Sequence, residues 1–97
     1  MIRHISIFTL KDKNDLERVY EYVEECGEKL QCSSYRVYRF FGFQPPVDMP
    51  VYGDIMQEIV FETEEQAAAY PDDPAHIELS KKTENLFCFV TAFDCEV

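Results

Sequence analysis

The stretch Ala68-Ala69-Tyr70-Pro71-Asp72-Asp73-Pro74-Ala75-His76 is where helix punctuation and side chains capable of acid–base work coincide. Pro71 lacks a backbone donor and stops a preceding helix. Asp73 followed by Pro74 reads as an N-cap with proline at the first helical position, so a new helix starts there. His76 falls in its first turn. The positive end of the helix dipole opposes a further positive charge on the ring, while Asp73 pulls the other way; the balance predicts a histidine that accepts a proton.

The rest of the chain must position these residues. Ile2 to Leu10 alternates, with Arg3, Ile5, Ile7 and Thr9 on one face and His4, Ser6, Phe8 and Leu10 on the other, which predicts a first strand. Asn14 with Glu17 resembles a capping box, and Leu16, Val19, Tyr20, Val23 and Leu30 recur at helical spacing, giving a helix over about 14–30. Its remaining face carries Glu17, Glu21, Glu24, Glu25 and Glu28, read as solvent-facing. Ser33 to Phe43 is dense in Tyr, Val and Phe and predicts a second strand. Three prolines between Gln44 and Tyr52 deny that segment ladder hydrogen bonds, so it reads as a loop, either mobile or an arm packed on a partner.

A third strand is expected over 54–62, with Ile55, Gln57, Ile59 and Phe61 opposite Met56, Glu58 and Val60. Thr63 with Gln66 caps a short helix to Tyr70, a last helix runs over about 74–84, and a fourth strand over 86–96. In that strand Phe87, Phe89, Thr91 and Phe93 are assigned to one face and Cys88, Val90 and Ala92 to the other. The order strand, helix, strand, strand, helix pair, strand predicts an α+β, ferredoxin-like, four-stranded antiparallel sheet with its helices on one face. The uncovered face would then carry Ile5, Ile7, Met56, Val60, Phe89 and Phe93, too much apolar surface to leave in water; a second copy of the sheet is the expected cover.

The totals bound the partners. Ninety-seven residues with 46% hydrophobic and 14% aromatic side chains make one domain, residues 1–97, with material for a core. Nineteen acidic against nine basic residues give a formal charge of −10, which repels phosphate backbones and anionic headgroups. Neither nucleic acid nor membrane is expected as a partner. No apolar run approaches a membrane span and Met1 leads straight into strand pattern, so a cytoplasmic protein is expected. Cys26, Cys32, Cys88 and Cys95 include no Cys-x-x-Cys pair and read as free thiols. His4 and His76 lack an evident third ligand for a metal, so no metal and no organic cofactor are expected.

The chain resembles the stress-responsive α/β-barrel (dimeric α/β-barrel) domain family. The matching residues are Met1-Ile2-Arg3-His4-Ile5 with Phe8, Phe61-Glu62-Thr63-Glu64-Glu65 leading to Tyr70, Pro74-Ala75-His76, and Phe93-Asp94 near the end. The resemblance implies a homodimer whose sheets pack face to face into a barrel, each subunit keeping a pocket between its own sheet and helices. Most members have no assigned role, but one is a plant polyketide cyclase whose two histidines and tyrosine match His4, Tyr70 and His76. That match implies His76 as general base, Tyr70 as donor to an enolate oxygen and His4 as the group that positions or shares the proton. Ser6, Phe8, Tyr20, Gln57, Ile59 and Ile77 would line the pocket. Asp73 stands where the family usually has histidine and Cys95 where it commonly has tyrosine, and polar Ser6 and Gln57 disfavour a long alkyl substrate. The expected function is binding of a small, partly apolar carbonyl or phenolic compound, with cyclase-, lyase- or isomerase-like chemistry. Beside it stand a non-catalytic binding or structural module and a cofactorless monooxygenase. An open cavity of about 300 Å³ or more reaching both histidines would favour ligand chemistry; one filled by Phe8, Tyr20 or Phe61 would favour a packing role.

Overall fold

The computed structural model describes residues 1–40 and 53–97. The expectations for the proline-rich segment 44–52 and for the end of the second strand at Phe43 lie outside the described residues. Strands β1 (Ile2–Leu10), β2 (Ser34–Arg39), β3 (Ile55–Phe61) and β4 (Phe87–Glu96) form one antiparallel sheet in the order β2-β3-β1-β4. Helix α1 (Leu16–Lys29) joins β1 to β2, and α2 (Glu64–Ala69) with α3 (Pro74–Lys82) join β3 to β4. Because β1 and β2 are each antiparallel to β3, they run parallel to one another with β3 between them, and β3 and β4 likewise flank β1. This is the ferredoxin-like arrangement.

The helix-side face holds the core. Phe8 and Leu10 of β1, Ile55, Ile59 and Phe61 of β3, Val19, Val23 and Cys26 of α1, and Ala75 and Leu79 of α3 are all buried. Each large apolar side chain removed from water there contributes roughly 1.5–3 kcal/mol. Ion pairs from Lys29 to Glu78 and from Lys82 to Glu25 and Glu78 tie α1 to α3. Being exposed, they fix the relative position of the helices more than they stabilise the fold. Glu25 is therefore not simply solvent-facing, and neither is Glu17, which forks onto the Arg39 guanidinium of β2.

Two local expectations are corrected. Asp12, rather than Asn14, caps the approach to α1: Asp12 is extended and accepts from the Asn14 N–H at 2.9 Å, while Asn14 already lies in a 3-10 turn, Lys13–Asp15, where it cannot act as a cap. Phe87 does not share a face with Phe89. The β1–β4 register shifts between Thr9, paired with Phe89, and Leu10, paired with Phe87, so one extra residue returns Phe87 to the helix side. There it stacks on Phe8 with ring centroids 4.9 Å apart.

The punctuation around the helices is as the sequence predicts. Thr63 accepts from the Gln66 N–H while Gln66 reaches back to the Glu62 N–H, and Asp73 caps α3 by accepting from the Ala75 N–H at 2.8 Å. Between these helices Pro71 sits in a 3-10 turn, Tyr70–Asp72. After α3 the chain reverses into β4 through Asn85, whose φ of 66° suits a short polar side chain. Gly27 is required by contact: a Cβ there would lie 2.2 Å from the Tyr35 ring, which crosses α1 to hydrogen-bond the Val23 carbonyl.

Candidate functional site

A cavity of about 410 Å³ opens between the helix-side face of β1 and β4 and the segment from Tyr70 into α3. Phe8, Leu79, Phe87, Val90 and Ala92 give it apolar walls; His4, Ser6, Gln57, Tyr70 and His76 supply polar groups at one end, and Ser80, Thr83, Glu84 and Asn85 line it as well. Its volume exceeds the threshold set for ligand chemistry, although Phe8 does line it. The proline turn Tyr70–Asp72 lays the Tyr70 ring between the two imidazoles. The ring centroids of His4 and Tyr70 are 5.2 Å apart and those of Tyr70 and His76 4.7 Å, the second pair edge-on.

Each histidine is oriented by a fixed partner, and the two do not bond one another. Nδ1 of His76 lies 3.0 Å from the Pro71 carbonyl oxygen, which can only accept, so Nδ1 carries a proton there and Nε2 is the nitrogen that holds the lone pair when the ring is neutral. Nδ1 of His4 lies 2.7 Å from Oδ1 of Asp94, and its Nε2 lies 2.9 Å from Oγ of Ser6. Register explains the proximity: on the helix-side face His4 pairs with Asp94 and Ser6 with Ala92 of β4, while Ser6 faces Gln57 of β3.

Behind the cavity lies a buried polar network. The Gln57 amide donates to the Tyr35 hydroxyl at 2.8 Å and the Tyr70 hydroxyl at 3.2 Å, and the Cys26 thiol lies 3.9 Å from the latter. Burial pushes the Tyr35 and Tyr70 phenols well above their ordinary value near 10, and likewise raises the Cys26 thiol above 9. Tyr70 therefore keeps its proton and remains a donor over the whole working pH range. Because folding raises these values, the stability they contribute is complete below the ordinary values and is lost as pH rises through the folded ones. The urea midpoint is accordingly expected to fall above about pH 10, and an unchanged midpoint into that range would contradict this burial.

Of the residues expected to line the pocket, Ser6, Phe8 and Gln57 do so with His4, Tyr70 and His76, whereas Tyr20, Ile59 and Ile77 do not. Tyr20 lies under the Arg39 guanidinium, 4.2 Å from its ring centroid, and donates to the Val37 carbonyl. Ile59 is enclosed in the core, and Ile77 is 43% exposed on the outer side of α3. Helical and strand periodicity identifies which residues face inward but not which part of the interior they reach. Asp94, Ser80, Thr83, Asn85 and Phe87 were missed as site neighbours. Asp94 belongs to the Phe93-Asp94 pair near the end of the chain, but its contact with His4 depends on strand register.

Fold and site together define a ferredoxin-like α+β domain whose His–Tyr–His row opens into a cavity between sheet and helices. The chain belongs to the Stress responsive A/B Barrel Domain family, which it matches over residues 2–97. A dimeric ferredoxin-like protein of unknown function from Thermobifida fusca is similar at 18% identity and a TM-score of 0.79, covering 99% of this chain and 90% of that one. A Dabb family protein from Mesorhizobium loti superposes with a TM-score of 0.76 at 17% identity, over 99% and 95% of the two chains. A Nitrosomonas europaea protein provisionally described as an antibiotic biosynthesis monooxygenase gives a TM-score of 0.74 at 11% identity, over 100% and 98%. No curated protein matches the chain significantly. At these identities the solved structures show the fold alone. Among the described residues no helix is long and apolar enough to cross a membrane.

Proposed function

We propose that the protein is a homodimer that binds a small, partly apolar carbonyl or phenolic compound in this cavity and performs cofactor-independent acid–base chemistry on it. The observation that carries the reading is the cavity of about 410 Å³ reaching both histidines with Tyr70 between them. His76, its Nε2 lone pair available, removes a proton next to a carbonyl. Tyr70 turns its retained proton toward the developing enolate oxygen, and His4 positions or shares the proton. This is the chemistry of a cyclase, lyase or isomerase and involves neither a metal nor an organic cofactor. The volume accommodates a compound of one ring or a short chain, and the charge of −10 disfavours an anionic one.

Dimerisation is supported by the outer sheet face. Phe89 and Phe93 are 44% and 45% exposed and stand beside half-buried Ile5, Ile7 and Met56, although Val60 is already largely covered within the subunit. Solved structures similar in fold are described as dimeric. Four free cysteines fit a reducing, cytoplasmic setting. One observation favours a binding module without turnover: the Tyr70 hydroxyl is engaged by Gln57 and the Cys26 thiol, not directed at a histidine.

The binding claim is tested by thermal unfolding with a neutral β-dicarbonyl or phenolic probe. At about 100 times its dissociation constant a cavity ligand should stabilise the protein by about 2.7 kcal/mol. Ala92→Trp, placed on an exposed cavity wall where it need not disturb the core, should remove that gain. Stabilisation that survives Ala92→Trp would locate binding elsewhere.

A further inference from the structure

The cavity contains a second catalytic geometry that proton abstraction by His76 does not use. Along β1 and β4, Oγ of Ser6 lies 2.9 Å from Nε2 of His4, and Nδ1 of His4 lies 2.7 Å from Oδ1 of Asp94. A carboxylate can only accept, so Asp94 takes the Nδ1–H of His4, and this leaves Nε2 to accept the Ser6 hydroxyl proton. Nucleophile, base and orienting carboxylate are thus in sequence, each within hydrogen-bond reach of the next. Ser6 is 5% exposed, and what exposure it has is to the cavity. Asp94 stands at the open edge of β4, with 56% of its side chain exposed. On the helix-side face of β1, where Ile2, Phe8 and Leu10 are apolar, Ser6 and His4 are the polar pair, and the Ser6 hydroxyl is aimed at the imidazole nitrogen.

We propose that Asp94, His4 and Ser6 form an acyl-transfer relay that hydrolyses small uncharged esters or thioesters in this cavity. It rests on the same cavity as the reading above but not on His76 as a base. Oγ of Ser6 attacks the carbonyl carbon as its proton passes to Nε2 of His4. The tetrahedral intermediate collapses, the bond to the alcohol or thiol breaks, and the leaving group takes the proton from His4. Water then gives a proton to His4 as it attacks the acyl-serine; collapse releases the carboxylic acid and returns the proton to Ser6. Gln57, the cross-strand partner of Ser6, lines the same cavity, and its N–H now on the Tyr70 hydroxyl, 3.2 Å away, can turn to the oxyanion. The apolar walls formed by Phe8, Phe87 and Val90 suit a short apolar acyl group. The net charge of −10 and the carboxylates of Asp94 and Glu84 near the cavity disfavour nucleotide-bearing thioesters and help expel the acid product.

The test is reaction of the intact protein with a small neutral fluorophosphonate and with p-nitrophenyl butyrate, followed by peptide mass mapping. The expected result is a single adduct on Ser6. Its formation rate should fall roughly 10²- to 10⁴-fold in Asp94→Asn and recover partly in Asp94→Glu. Both variants change an exposed side chain, and unaltered thermal unfolding will show that they fold. An adduct on another residue, or one on Ser6 that forms as fast in Asp94→Asn, would overturn the relay. No adduct in protein that still binds a β-dicarbonyl probe would overturn the nucleophile while leaving the binding proposal intact; no adduct and no binding would remove both.

Discussion

Ile7→Asp is expected to convert a stable dimer into monomeric, unfolded or aggregating protein. Ile7 pairs with Met56 on one side and Thr91 on the other, in the middle of the outer sheet face. When a second sheet covers that face, the introduced carboxylate loses its water without gaining a cation, at a cost on the order of several kcal/mol. That is a large part of the stability of a domain this size, and folding is linked to assembly by mass action. Sedimentation velocity provides the check. A wild-type chain that is a well-folded monomer at micromolar concentration would remove the premise, and a well-folded Ile7→Asp dimer would place the interface elsewhere.

The second large effect is expected at His76. Replacing it with alanine should lower turnover of a β-dicarbonyl or polyketide-like substrate by roughly 10²- to 10⁴-fold, the usual contribution of a positioned base. The fold should be little affected, because the ring is only half-buried and gives up a single bond to the Pro71 carbonyl. Steady-state kinetics beside circular dichroism separates the outcomes. Turnover unchanged in a folded His76→Ala protein would assign any proton transfer to another group.

The fold was legible because its elements carry redundant local signals. Alternation in β1 and β3 assigned their faces as observed, and the Asp73-Pro74 start of α3 and the Thr63/Gln66 cap of α2 are where the sequence placed them. The extra residue near Cys88 was not legible, since a bulge is set by what the neighbouring strand requires and strict alternation cannot anticipate it. At the site, His4, Tyr70 and His76 do converge, because the proline turn, the helix start and the strand face are each encoded locally. The contacts of His4 with Asp94 and of Gln57 with Tyr35 depend on register between distant strands. No local pattern reports that register. Tyr20 and Ile77 were misplaced for a related reason: helical periodicity gives an inward face but not the part of the interior beneath it.

The central claim is that one ligand occupies the space bounded by both histidines and Tyr70. The most direct measurement is a nuclear magnetic resonance titration of the His4 and His76 imidazole signals with a neutral β-dicarbonyl or phenolic compound. Both rings should shift along one saturable curve, and both shifts should disappear in Ala92→Trp. Saturable binding that leaves both imidazoles unmoved, or that moves only one of them, would contradict a shared cavity site.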